Sequence, residues 1–233
     1  EYVQVFSTGK KMGIFLKLHL GKNLLAVVLV MLVFNIQKTV QADQPTETIF
    51  LAQLNNKNIA ENNAQQLIQE LHDRLIEATK KHNILERQHF LSPTIRKVFN
   101  FSSMAQFSIG RYWANMAKSE QDSWVSIFTD MSIATYASRF SSFSGQSFKI
   151  IGVESTVDGQ GIWVKTQLIL GDKTRQPISI NYFFQQGQVV DVLLNGSISE
   201  IATRRSEYTS VIRSQSVDAL LLAVRKQTEN LLK

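Results

Sequence analysis

Residues 147–194 read SFKIIGVESTVDGQGIWVKTQLILGDKTRQPISINYFFQQGQVVDVLL, and the fold turns on this stretch. Ahead of it apolar residues recur every three or four positions; within it the period changes to two. Four strands are predicted: Phe148–Thr156, Ile162–Leu170, Ile178–Gln185 and Gln188–Leu194. Asp158-Gly159, Gly171-Asp172 and Gln186-Gly187 sit between them, residue types that allow tight reversals. The pattern predicts a four-stranded antiparallel meander.

Helices flank the strands on both sides. Ile59, Ala64, Leu67, Ile68, Leu71, Leu75 and Ile76 recur at helical spacing and predict a helix over 58–81. Asn83 and Ser92-Pro93 mark breaks, with Pro93 suited to the first turn of a short helix through Phe99. A further helix is expected from Ser102 to Trp113. Ser119-Glu-Gln-Asp122 has the form of a capping box opening a helix to about Phe140. Ser197-Ile-Ser-Glu200 has the same form and opens a helix carrying Ile201, Tyr208 and Ile212, before a last helix over 216–232. Helices, then strands, then helices, in blocks rather than in alternation, give an α+β class.

Both faces of the expected sheet are apolar. Ile162, Val164, Thr166, Leu168 and Leu170 share one face of the second strand, and the other still carries Trp163 and Ile169. A solvated antiparallel face is usually more polar. Of 22 aromatic residues, 11 fall between Phe99 and Phe148, on helices just before the sheet. Two readings fit: helices packed on both faces of a filled core, or a sheet roofed by helices around an apolar cavity.

At the N-terminus, Lys10, Lys11, Lys17 and Lys22 precede an uncharged run from Leu24 to Phe34, and Val40-Gln41-Ala42 follows. That order reads as a signal peptide cleaved after Ala42 and predicts export to the periplasm. Eleven apolar residues rise only about 16 Å as a helix, half of a bilayer core, which disfavours the alternative of a permanent anchor. The resulting division is 1–42 extension plus signal, with residues 1–11 upstream of Met12, then 43–57 flexible lead-in and 58–233 single domain. Residues 1–42 carry net +4 of the chain's +6, so the remainder is close to neutral. No block of five or more like charges remains, the basic pairs Lys80-Lys81 and Arg204-Arg205 are isolated, and nucleic acid is not an expected partner. With no cysteine, thiol catalysis, cysteine-held metal and disulfides are excluded.

Catalytic signals are sparse. The histidines are His19, His72, His82 and His89; the expectation for His72 and His82 is a solvated helix face, not a metal site. No H-E-x-x-H, G-x-S-x-G or P-loop occurs. What remains for proton transfer is a carboxylate near a tyrosine, either Asp191 or Asp130 with Tyr182 or Tyr136, and Asp191 is the better placed. An enzyme moving a proton on an apolar substrate with Asp191 and a Tyr is therefore the alternative to a binding protein.

Gly110-Arg-Tyr-Trp113, Phe128, Thr135-Tyr-Ala137, Phe140-x-x-Phe143-x-Gly145 and Asp191-Val-x-x-x-Gly196 resemble the MlaC family of periplasmic phospholipid-binding proteins. The run Ile198-Ser-Glu-Ile-Ala-x-Arg-Arg-Ser-Glu-Tyr208 is most similar to its hopanoid-associated HpnM branch. The resemblance spans Phe99 to Leu232 and departs at Gln188, where such proteins often carry Trp. It implies a non-catalytic carrier without cofactor or metal. Acyl chains of a phospholipid, or a hopanoid, would lie between sheet and helices. Implied partners are an inner-membrane MCE-domain/ABC transporter complex and an outer-membrane lipoprotein complex, the machinery of outer-membrane lipid asymmetry. On that implication the expected acyl lining is Trp113, Phe128, Tyr136, Phe140, Phe148, Trp163, Val164, Leu168, Tyr182, Val190 and Leu194. Arg111, Arg139, Arg204 and Arg205 are the expected headgroup or docking residues. Arg204 and Arg205 point about 100° apart on a helix, so at most one faces the opening.

Overall fold

A computed structural model describes residues 44–172 and 174–233. The basic leader, the apolar run and the junction after Ala42 lie outside those residues. No helix among the described residues is long and apolar enough to cross a membrane. The chain divides into two units, 1–54 and 55–233, and of the first only the start of helix α1 is described.

Helix α1 spans Gln44–Ala78, so the expected flexible lead-in is helical from Gln44 onward. Pro45 falls in the first turn, where its missing N–H costs nothing, and nothing beyond it breaks the helix. Ala64, Ile68, Leu71 and Leu75 form its buried stripe. Asn83 caps α2, Ile84–Val98, by accepting from the Glu86 N–H at 2.9 Å. Pro93 does not begin this helix; it lies inside it, on the exposed side. Leu91, Thr94, Ile95 and Val98, buried on the opposite side, hold the helix through the one hydrogen bond that proline removes.

Asn100 caps α3, Phe101–Ile109, which passes into a 3₁₀ turn over Gly110–Asn115. Helix α4, Lys118–Arg139, starts one residue before the expected box. Glu120 Oε2 reaches back to accept from the Ala117 N–H at 2.6 Å. Arg87 ties α1 and α2 to the end of α4, its Nε donating to the Ala137 carbonyl at 2.8 Å and its Nη1 to the Lys81 carbonyl at 3.3 Å. The Ala137 carbonyl lies in the last turn of α4, where intrahelical partners run out, and Lys81 lies in the loop that follows α1.

The sheet is an antiparallel meander in the order β1 (Ser147–Ser155), β2 (Ile162–Ile169), β3 (Ile178–Gln185), β4 (Gln188–Leu194) and β5 (Ile198–Ser199). Five strands replace the expected four. The added Ile198–Ser199 pairs with Leu193 and Leu194 across a turn at Asn195-Gly196, both at positive φ. The cap of α5, Glu200–Ser214, is accordingly Ser199 rather than Ser197, accepting from the Ala202 N–H at 2.9 Å. Ser216 caps α6, Val217–Leu231.

Register sets the helix-facing side of the sheet. One row runs Val153, Val164, Tyr182, Val192; the next Ile150, Thr166, Ile180, Leu194; the third Phe148, Leu168, Ile178. Two β-bulges keep these rows in phase. One lies between Ile150 and Gly152, and the other places Phe183 opposite Asp191 but Phe184 opposite Val189. The extra residues, Ile151 and Val190, drop out of the alternation. On the other side Trp163 packs on Phe183 at 4.6 Å between ring centroids, and Lys165 pairs with Glu154. Elements far apart in sequence are pinned by specific bonds. Glu61 Oε1 on α1 accepts from the Ser155 N–H and hydroxyl, at 2.9 and 2.7 Å. Gln188 Nε2 donates to the Lys97 carbonyl at 3.0 Å, beside a parallel bridge between Phe99 and Val189.

Candidate functional site: an aromatic-walled cavity

Between the helix-facing rows of the sheet and the helices lies a cavity of about 420 Å³. The sheet supplies Phe148, Leu168, Leu170, Ile178, Ile180, Tyr182, Val192 and Leu194. Helix α1 supplies Leu75 and Ile76, with Thr79 just after it; α3 supplies Phe101 and Met104; α4 supplies Phe128, Met131, Tyr136 and Arg139; α5 supplies Glu200, Ile201, Arg204 and Tyr208. Alternation on the strands and helical spacing on α4, where 128, 131, 132, 135, 136 and 139 share a face, bring these side chains together.

The aromatic rings form one unbroken series of contacts. From Tyr208 it passes through Trp124, Phe128, Phe101, Phe99, Tyr136, Phe140, Phe148 and His72 to Tyr182, each ring 4.0–6.5 Å from the next. All but Trp124 and His72 also line the cavity. Trp124 stands behind it and satisfies its indole N–H on the Ala105 carbonyl at 2.9 Å. Such rings present large apolar area with few rotamers, a stiff wall rather than a yielding one.

His72 was expected on a solvated face and is instead 1% exposed. It stacks on Phe148, shares a hydrogen bond with Tyr182, and lacks a partner at Nδ1 among the described residues. Burial lowers its pKa to about 4, so the imidazole is neutral. Burial also raises the hydroxyl pKa of Tyr182, Tyr136 and Tyr208, which stay protonated. The one sequence signal for His72 is its place between Leu71 and Leu75, at the edge of the apolar stripe.

Of the expected lining, Phe128, Tyr136, Phe140, Phe148, Leu168, Tyr182 and Leu194 face the cavity. Four do not. Val164 shares the row of Tyr182 and Val192 but is fully buried in the core and outside the cavity. Trp163 belongs to the other sheet face. Val190 was placed by alternation, but it is the extra residue of the bulge, and Val189, opposite Phe184, is buried on the helix-facing side in its stead. Trp113 sits on the 3₁₀ turn, half-buried against the core and outside the cavity. The wall residues that alternation and aromatic density missed, among them Leu75, Met104, Met131 and Ile201, are plain apolar positions with no mark to separate lining from filling.

The four arginines divide. Arg139 and Arg204 reach the cavity, while Arg111 and Arg205 lie at a separate depression. Arg204 pairs with Glu207 at 3.5 Å, and none of the ion pairs among the described residues includes Arg139. With Glu200, Gln146, Ser142, Ser132, Thr135 and Thr79, these side chains make the polar part of a largely apolar wall.

Asp191 does not form the acid–base pair suggested for it. Opposite Phe183, it lies on the sheet face away from Tyr182. Its carboxylate accepts from the Ser199 hydroxyl at 2.6 Å, the Val192 N–H at 2.7 Å and the Ile201 N–H at 3.2 Å, tying β4 to the start of α5. Asp130 is likewise engaged, with Arg96 at 3.0 Å on the surface. No cluster of His, Asp or Glu suited to a metal occurs among the described residues.

Compared with known proteins, the chain matches the family described as MlaC protein over residues 59–226. Its fold is similar to that of a phospholipid-binding protein from Ralstonia solanacearum, solved in complex with a phospholipid. The TM-score is 0.62 at 18% identity, over 73% of this chain and 99% of that one. No curated protein sequence matches.

Proposed function

This chain belongs to the MlaC family, and on that footing we propose that it is a phospholipid carrier whose cavity takes acyl chains out of water. The observation that carries the reading is the continuous aromatic wall around a cavity of about 420 Å³. Its sheet side is apolar, and its charges gather on α4 and α5. The bound phospholipid of the Ralstonia solanacearum neighbour supports the same ligand class here.

The energetics fit a carrier. Exposing an acyl chain to water costs about 0.8 kcal/mol per CH₂, while passage from bilayer to apolar pocket is nearly an even exchange. A wall that offers contact without many fixed hydrogen bonds keeps binding reversible. Arg139, at the cavity and free of any ion pair among the described residues, is the cation proposed to meet the headgroup phosphate. The apolar run before Ala42 supports export with cleavage, so the working place is the periplasm. There it would exchange lipid between an inner-membrane MCE-domain/ABC transporter and an outer-membrane lipoprotein complex. A hopanoid is the second candidate ligand, on the likeness of Ile198–Tyr208 to the HpnM branch.

Mass spectrometry of an organic extract of the purified exported protein tests the ligand, and intact mass tests cleavage. Phospholipid at near-stoichiometric yield and a chain beginning at Asp43 are expected. A hopanoid instead of phospholipid would change the cargo; a lipid-free protein that also fails to take lipid from vesicles would refute the carrier.

A further inference from the structure

The 3₁₀ turn and α5 enclose a second depression of about 260 Å³, lined by Arg111, Tyr112, Arg205, Thr209 and Arg213. It shares no residue with the acyl cavity. Three guanidinium groups border one concavity, and none of the ion pairs among the described residues involves any of them. Helical spacing explains both facts. Arg205, Thr209 and Arg213 are four apart and share a face of α5. Glu200 and Glu207 lie about 220° and 200° round the helix from Arg205, and Glu207 pairs with Arg204 there. The acidic residues of α5 thus serve the side toward the cavity, and the basic ones are left together on the other.

Two of the guanidinium groups are held in place without being neutralised. Arg205 lies over the half-exposed Phe107 ring, 5.0 Å from its centroid, and against Gly110. Gly110 has φ +55°, and a Cβ there would stand 2.7 Å from Arg205 Nη2, so the guanidinium occupies space that only glycine leaves. The Arg111 guanidinium lies 5.3 Å from the centre of the Tyr112 ring. Three like charges around one depression, two of them oriented by aromatic faces and none paired with a carboxylate among the described residues, have a deficit that an oxyanion fills. Planar guanidinium forks match phosphate oxygens by two parallel hydrogen bonds.

We infer that Arg111, Arg205 and Arg213 form a phosphate-binding site, distinct from the acyl cavity. The phosphate is either that of a soluble compound or that of headgroups on an anionic bilayer surface, where the exposed Phe107 ring beside Arg205 adds an interfacial contact.

Purified full chain is compared with R111Q/R213Q and R111Q/R205Q/R213Q. In one arm inorganic phosphate is titrated at constant ionic strength, followed by arginine Nε–H chemical shifts. In the other, protein is sedimented with phosphatidylglycerol or phosphatidylcholine vesicles. Saturable, salt-sensitive binding is expected in at least one arm, weakened about tenfold or more in both variants. Binding to phosphate alone identifies a soluble ligand, and binding only to phosphatidylglycerol identifies a bilayer headgroup. Lipid recovered from the acyl cavity is expected to be unchanged, so failure here is distinguishable from failure of the carrier reading. R111Q/R213Q leaves the Arg205–Gly110 packing intact and carries the test should the triple variant fold poorly. If folded variants match wild type in both arms, or wild type binds in neither, the site does not exist.

Discussion

His72 lies face to face with Phe148, ring centroids 4.0 Å apart and planes 7° from parallel, while its Nε2 sits 3.2 Å from the Tyr182 hydroxyl. One buried imidazole thereby joins α1 to β1 and β3 behind the cavity wall. An apolar residue would fill the same volume but would leave Tyr182, itself 2% exposed, without its partner.

Stability is expected to fall with acid through this histidine. Its folded-state pKa is about 4 against 6.5 for an unfolded chain, so between those values the unfolded state binds the proton and the folded state does not. The contribution is fully present above pH 6.5 and is lost as pH falls toward 4, at a cost of about 3 kcal/mol. Urea unfolding at pH 7 and pH 4.5 measures it, and His72→Phe is expected to flatten the slope across that window.

Substitution separates the stack from the hydrogen bond. His72→Phe keeps a ring against Phe148 but orphans the Tyr182 hydroxyl, and about 1–3 kcal/mol should be lost at pH 7. Tyr182→Phe alone should cost a similar amount by orphaning the imidazole. The double variant should recover most of either loss, and a double-mutant cycle reads the coupling directly.

Charge placed at two positions on one face of β2 should behave differently. Val164 is fully buried and Leu168 borders the cavity, on the same face of β2. Val164→Asp should unfold the protein by burying an unpaired carboxylate. Leu168→Asp can hydrate within the cavity and should remain folded while losing recovered lipid. Equal unfolding of both would point to a filled core at Leu168.

Asp191→Ala should cost stability without touching cargo. It removes the acceptor for two backbone N–H groups and the Ser199 hydroxyl, and a loss of about 1–2 kcal/mol is expected in denaturant unfolding. Recovered lipid should not change. A proton-transfer role would instead show as lost turnover in a protein of unchanged stability.

Much of the fold was legible locally. The change of period at residue 147, the turn residues between strands and the break at Asn83 are short-range signals, and each stands where it was read. Aromatic density after Phe99 pointed to the right helices for the wall. Pro93, by contrast, was read as a helix start because its local effect is unfavourable, and burial of the opposite face outweighed it.

What the sequence by itself determined was which residues share a face within an unbroken helix or strand, because 3.6- and 2-residue periods are properties of the backbone alone. Tertiary structure decided the rest. The bulge at Val190 shifts the phase of β4 by one residue, so Val189, opposite Phe184, continues the buried face of Val192 and Leu194 in place of Val190. Packing of α1 on the sheet buried His72, and the docking of α5 turned Arg204 inward and Arg205 outward. Whether Leu168 lines a void or Val164 fills a core depends on the gap between two layers, set by helices on either side of the strands in sequence. No local pattern encodes that separation, because apolar side chains are chemically the same on either side of it.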